Sequence, residues 1–186
     1  MNTLIISLLL VAAPSAACSI QVVVPGQIVT GSGTLVTPTL VLSAAHVFKR
    51  RGPTTVWFGQ QRRSATVLLA NADFDVALLR LASAPTGIAP IPIASTPPPI
   101  GAKVEVWGRD RSFDGTVVSA MGSPGIDFGV QGRYGQVTVP GDSGGAVIFN
   151  NTLVGVHWGY RTQNQHALVH AARCDVIKEW LVRTHR

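Results

Sequence analysis

APTGIAPIPIASTPPPIG, residues 84–101, is the stretch on which the fold turns. Its prolines have no amide hydrogen to donate and hold φ near −65°, so it can form neither a helix nor a central strand. It reads as an extended connector that divides the 186-residue chain into halves. Before it lie six runs rich in β-branched and aliphatic residues, separated by turn residues: IQVVV (20–24), QIVTGSGTLV (27–36), TLVLSA (39–44), TTVWFG (54–59), SATVLLA (64–70) and DVALLRLA (75–82). Six such strands suffice to close a small barrel. The texture returns after the connector in KVEVWG (103–108), GTVVSA (115–120), IDFGV (126–130), GQVTV (135–139), GAVIFN (145–150), TLVGVHWG (152–159) and HALVHAA (166–172), predicting a second barrel. Only residues from about 173 to 186 have helical spacing, with Val176, Ile177, Trp180 and Leu181 on one face. This terminal helix is expected to pack against the second barrel.

Composition agrees with an all-β fold. Hydrophobic residues make up 46% of the chain and charged residues only 13%, which supports a sizeable core and argues against disorder. The 19 glycines and 12 prolines suit short strands and tight turns. The formal charge is +6, with a local knot of Lys49, Arg50, Arg51, Arg62 and Arg63. Neither an aromatic-interleaved basic stripe nor a nucleic-acid motif accompanies that knot, so it reads as a solvated basic face.

Residues 4–13, LIISLLLVAA, are too short to span a bilayer comfortably and are followed by Pro14, Ser15, Ala16 and Ala17. The pattern reads as a signal peptide, residues 1–17, cut after Ala17. The expectation is a secreted chain without stable membrane association. Met1-Asn2-Thr3 lacks the usual Lys or Arg, which keeps an uncleaved anchor as the alternative. Export would expose Cys18 and Cys174 to an oxidising compartment, where a disulfide between them and two unpaired thiols are both open.

Three separated segments carry chemistry: VLSAAH ending at His46, DFDVALLRL containing Asp75, and PGDSGGAV containing Ser143. Serine is a poor nucleophile until a base removes its proton, so a His, an Asp and a glycine-bracketed Ser are what acyl transfer requires. Together with GSGTLV (31–36) and LVGVHWG (153–159), these segments resemble the landmarks of the chymotrypsin/trypsin-like serine protease family, in order and over nearly all of the chain after residue 17.

The resemblance implies two six-stranded antiparallel β-barrels, residues 18–95 and 96–186, with the C-terminal helix following the second. It implies a triad of His46, Asp75 and Ser143 in the cleft, with the N–H groups of Gly141 and Ser143 as the oxyanion hole. Asp75 rather than Asp73 begins the family's D-V-A-L-L run. The base of the S1 pocket would be Val137, which offers no carboxylate for a Lys or Arg side chain. Thr138 and His157, with Trp158 and Gly159 alongside, are similar to the pocket of glutamate-specific bacterial endopeptidases and of picornavirus-type and sobemovirus-type proteases. That likeness implies preference for Glu or Gln at P1.

The activating Ile-Val-Gly-Gly of the digestive enzymes is absent, so Asp142 needs an internal partner, with Arg109, Arg111 and Arg133 as candidates. An enzyme active without a proteolytic switch is the expectation. Neither a metal cluster nor a cofactor fingerprint is found, so no cofactor is expected. Protein or peptide substrates, no nucleic acid and a monomer complete the expected partners. Two rivals remain: a catalytically silent binding protein on a protease scaffold, and a membrane-anchored polyprotein-processing protease.

Overall fold

The computed structural model describes residues 16–109, 111–119, 127–132, 138–163 and 166–184. The first half forms β1 (Ala17–Val24), β2 (Gln27–Thr37), β3 (Leu40–Ala44), β4 (Thr54–Phe58), β5 (Gln61–Asn71) and β6 (Val76–Leu81). These close into a barrel in the order β1-β2-β3-β6-β5-β4, with β4 pairing back onto β1. The second half forms β7 (Lys103–Trp107), β8 (Ser112–Ser119), β9 (Asp127–Gly132), β10 (Ala146–Phe149), β11 (Thr152–Gln163) and β12 (His166–Arg173). Its barrel has the order β10-β11-β12-β9-β8-β7, the same connectivity as the first. Closure leaves neither sheet with a free edge.

Turn chemistry follows the residues. Asn150 and Asn151 both take positive φ between β10 and β11, as a hairpin whose turn matches the strand twist requires. The connector is hydrogen-bonded to both barrels: Ile91 N–H donates to the Leu35 carbonyl, Ala94 N–H to Leu153, and Leu153 N–H to Pro92.

Each barrel encloses its own apolar cluster, and a third lies between them. Leu42, Val76 and Leu78 of the first barrel meet Trp107, Ile148, Leu153 and Val156 of the second. β3 and β6 bury both faces over residues 41–44 and 76–79, which is why VLSA and VALL carry no charged residue, while Arg80 of β6 is exposed. Each fully buried Leu contributes about 1.5–3 kcal/mol, so this layer fixes one barrel on the other.

The helix α1 (Cys174–Thr184) extends the interface. Ile177 is buried in the inter-barrel cluster, with Trp180 and Leu181 packed against it. Trp180 also meets Phe74 of the first barrel edge-on, with ring centroids 5.7 Å apart. The helix thus bridges both barrels rather than serving the second alone.

Two other expectations change. GQVTV was expected as a strand; residues 135–137 lie outside the described residues, while Thr138 and Val139 belong to the loop before Ser143 and to no strand. The disulfide alternative gives way to free thiols. Cys18, on β1, is buried in the first-barrel core and Cys174, at the start of α1, in the second, so the two lie in different cores. Residues 1–15 of the expected leader lie outside the described residues, but Ala16 is buried, its carbonyl accepts from Leu35 N–H, and Ala17 pairs with Thr34.

Burial pushes the Cys18 thiol strongly upward and that of Cys174 up to about 11. Both are therefore expected to resist a thiol reagent in the native protein and to react once it is denatured. Thiol counting with and without denaturant tests this, and an intact Cys18–Cys174 bridge in the mass spectrum would contradict it.

Candidate active site

His46 sits in a short 3₁₀ turn, Ala45–Phe48, that follows β3 directly. Its Nδ1 lies 2.5 Å from Asp75 Oδ2, and its backbone N–H donates to Asp75 Oδ1 at 2.7 Å. Ala45 N–H adds a bond to the Asp75 carbonyl. These bonds hold Asp75 at φ +57°, a left-handed conformation that a non-glycine residue adopts at a cost of about 1–2 kcal/mol. A proton on Nδ1, shared with the carboxylate, leaves Nε2 with a lone pair able to accept another. Asp73, by contrast, is exposed and uses its N–H in a local turn with Asn71.

Ser143 lies on the loop before β10. Two turns shape it, with Asp142 N–H donating to the Val139 carbonyl and Gly145 N–H to the Asp142 carbonyl. Gly141 and Gly144 have φ of +102° and +91°. Such values favour glycine, and space demands it too: a Cβ on Gly144 would collide with the Ser32 carbonyl and Ser43 Oγ and stand 2.7 Å from Ala44 N.

The first barrel grips this loop. Ser32 N–H donates to the Ser143 carbonyl at 2.7 Å, and Ser32 Oγ donates to the Gly141 carbonyl at 2.7 Å. Ser43 Oγ in turn donates to the Ser32 carbonyl. At Gly31 a Cβ would lie 2.8 Å from Val47 Cγ2 and 3.3 Å from the Ser143 carbonyl. One glycine therefore separates the serine backbone from the residue following His46.

Asp142 is almost wholly buried, and its carboxylate accepts from Arg111 Nε and Nη2 at 3.2 and 3.0 Å, from Val139 N–H at 2.9 Å and from Arg109 N–H at 3.2 Å. Of the candidate arginines, Arg111 supplies the ion pair and Arg109 a backbone N–H. Arg133 lies outside the described residues, as does Val137.

Thr138 and His157 are both buried. His157 is tied to the serine loop: Gly144 N–H donates to its carbonyl, its N–H donates to the Gly145 carbonyl, and its Nδ1 meets the Asp142 carbonyl at 3.2 Å. Its Nε2 is buried without a hydrogen-bond partner among the described residues. Burial depresses the imidazole's proton affinity, opposed by the carbonyls of Asp142 and Gly159 and the Asp142 charge. β11 bulges between His157 and Gly159; Trp158 stacks on His170, while Gly159 faces open space.

The sequence reading did not single out Ser32 or Ser43 as the groups that hold the serine loop. Their signal was present as small hydroxyl residues, Ser32 between two glycines and Ser43 between Leu42 and Ala44, at buried strand positions. Among the described residues no cluster of His, Cys, Asp and Glu could hold a metal ion.

The family model described as Trypsin matches residues 11–181. The chain belongs to the trypsin family. It is thus a trypsin-like serine protease in family and fold. Among solved structures, the active form of the Rv3671c protease from M. tuberculosis is similar with a TM-score of 0.76 and 22% identity, over 92% of this chain and 81% of that one. The inactive form of that protease gives 0.74 and 21%, over 92% and 90%. Kallikrein-related peptidase 10, in a complex with Zn2+, gives 0.75 and 18%, over 94% and 96%. At these identities the likeness is one of fold. No curated protein matches the chain significantly.

Two predictions arise from this member of the trypsin family. Arg111→Ala removes an ion pair from the Asp142 carboxylate and keeps, among the described residues, its bonds from Arg109 N–H and Val139 N–H; a loss of about 1–3 kcal/mol in denaturant unfolding, with partial recovery in Arg111→Lys, is expected. Below the ordinary histidine value of 6.5, the unfolded chain takes up a proton that buried His157 resists. Stability therefore falls as pH drops from there toward the depressed folded value, and His157→Gln should flatten that slope in unfolding curves taken across the range.

Proposed function

We propose that the chain is a serine endopeptidase in which Ser143 Oγ attacks the scissile carbonyl, His46 takes its proton and returns it to the departing amine, and Asp75 holds the imidazole. The observation that carries this reading is the His46–Asp75 pair. Asp75 is kept in a left-handed conformation while both its carboxylate oxygens bond His46, beside a serine whose backbone is fastened to the same barrel. Such convergence is poorly explained by packing, since a buried hydrophobic pair would hold the corner without strain.

The positive φ at Gly141 suits an oxyanion hole formed by the N–H groups of Gly141 and Ser143. Such a donor is worth about 3–4 kcal/mol in the transition state. Because Arg111 already pairs with Asp142, the loop needs no freed amine to hold it, and activity without a proteolytic switch is part of the proposal.

The substrate proposed is a peptide with Glu or Gln at P1, held by Thr138 and His157. Support comes from His157 Nε2, which has no hydrogen-bond partner among the described residues, and from the open space beside Gly159. With Nδ1–H given to the Asp142 carbonyl, a neutral ring offers Nε2 as an acceptor to a carboxamide; a protonated ring offers a donor to a carboxylate. Asp142 favours that proton, whereas His46 and burial oppose it.

Cleavage of a mixed peptide library, read by mass spectrometry, tests these roles together. Cuts after Glu and Gln are expected, with Glu gaining on Gln as pH falls. Ser143→Ala should abolish them, and Asp75→Asn should lower kcat by about 10⁴-fold. Ser143-dependent cuts at other residues would retain the triad and remove the P1 assignment. Absence of Ser143-dependent cutting would favour the binding-protein alternative. Export with loss of residues 1–17 is also proposed, and intact mass reads it out; retention of Ala16 and Ala17 would keep their bonds to β2 and contradict a cut after Ala17.

A further inference from the structure

Ser32 is buried on β2 between Gly31 and Gly33, and its own carbonyl accepts from Ser43 Oγ at 2.7 Å. From this fixed place it makes two bonds into the serine loop. Its Oγ donates to the Gly141 carbonyl and its N–H to the Ser143 carbonyl, each at 2.7 Å. These are the carbonyls of the two residues whose N–H groups are proposed to receive the substrate oxygen.

The other end of each peptide plane is held as well. Asp142 N–H, in the plane of the Gly141 carbonyl, donates to the Val139 carbonyl at 3.0 Å. Gly144 N–H, in the plane of the Ser143 carbonyl, donates to the His157 carbonyl at 2.7 Å. Both planes are pinned at two points, and Ser32 supplies one point in each. The two bonds differ in kind: any residue but proline would bring the N–H to Ser143, whereas the bond to Gly141 needs the hydroxyl.

Gly141 is where that hydroxyl matters. Its φ of +102° is open to glycine but not imposed by it, because a residue without a Cβ passes readily between positive and negative φ. Gly141 is also buried, so loss of the donor leaves an acceptor that must turn to find another. Turning the carbonyl changes the same torsions that aim the Gly141 N–H.

We propose that Ser32 is a positioning residue for the oxyanion hole: its hydroxyl selects the arrangement of Gly141 that aims the N–H at the developing charge. It acts through the Gly141 carbonyl and does not touch substrate. This inference rests on the serine endopeptidase reading but not on the P1 assignment. Negative charge collects on the substrate oxygen in the transition state, so a misaimed donor lowers kcat and leaves substrate binding nearly as it was.

The test compares the wild-type protein with Ser32→Ala and Ser43→Ala on a peptide that the wild type cuts, thermal unfolding showing that each variant is folded. For Ser32→Ala, kcat is expected to fall by about 10- to 100-fold with KM within about twofold of wild type. A peptide aldehyde of the same acyl sequence, to which Ser143 Oγ adds so that the former carbonyl oxygen enters the hole, should bind more weakly by about the factor lost in kcat. The corresponding peptide alcohol, which has no carbonyl, should bind as before. Ser43→Ala loosens Ser32 but keeps its hydroxyl; the same pattern at about three- to tenfold is expected, and this variant carries the test if Ser32→Ala does not fold. An unchanged kcat, or a loss of binding shared by aldehyde and alcohol alike, would overturn the proposal alone. Absence of Ser143-dependent cleavage by the wild type would overturn the protease reading with it.

Discussion

The serine loop is fastened to the wrong barrel for its place in the chain, and the site depends on that attachment. Ser143 belongs to the second half, yet its carbonyl and that of Gly141 are held by Ser32 of β2. The approach is so close that side chains are excluded at Gly31 and Gly144. Such backbone contact tolerates little displacement, so it holds only because the inter-barrel layer of Leu42, Leu78, Leu153 and Ile177 fixes the barrels as one body. Packing energy from a dry interface thereby holds the Ser143 backbone against the first barrel, whose residues Gly31 and Ser32 it meets.

Two carboxylates then divide the electrostatic work. Asp75, partly exposed, spends both oxygens on His46. Asp142, almost fully buried, is met by Arg111 and two backbone N–H groups. Removing a partner from either leaves a charge whose desolvation is uncompensated, but the consequences differ. At Asp75 the imidazole would lose its orientation; at Asp142 the turn that shapes the serine loop would lose its anchor.

Much of this was legible in the residues. The proline-rich connector announced two halves, and the doubly buried parts of β3 and β6 appeared as short runs without a charged residue. His46, Asp75 and Ser143 were singled out by their residue types and by the family resemblance of VLSAAH, DVALLRL and GDSGG, since two of these segments read as ordinary strand. What was not legible concerns pairings across space. Nothing local distinguishes Arg111 from Arg109 as the partner of Asp142, because their spacing is equally compatible with the loop. The β propensity of GQVTV suggested a strand, but at Thr138 and Val139 the backbone is turned towards Asp142 instead. Cys18 and Cys174 could be paired on paper because sequence does not reveal that each faces the interior of a different barrel.

The account stands on Ser143 acting as a nucleophile toward a carbonyl whose oxygen is received by backbone N–H groups. A crystal structure of the protein after reaction with a fluorophosphonate tests this most directly. The predicted result is a covalent bond from phosphorus to Ser143 Oγ, with the phosphoryl oxygen accepting from the N–H groups of Gly141 and Ser143 and His46 still paired with Asp75. An unmodified Ser143, or an adduct whose oxygen points away from those two donors, would contradict it.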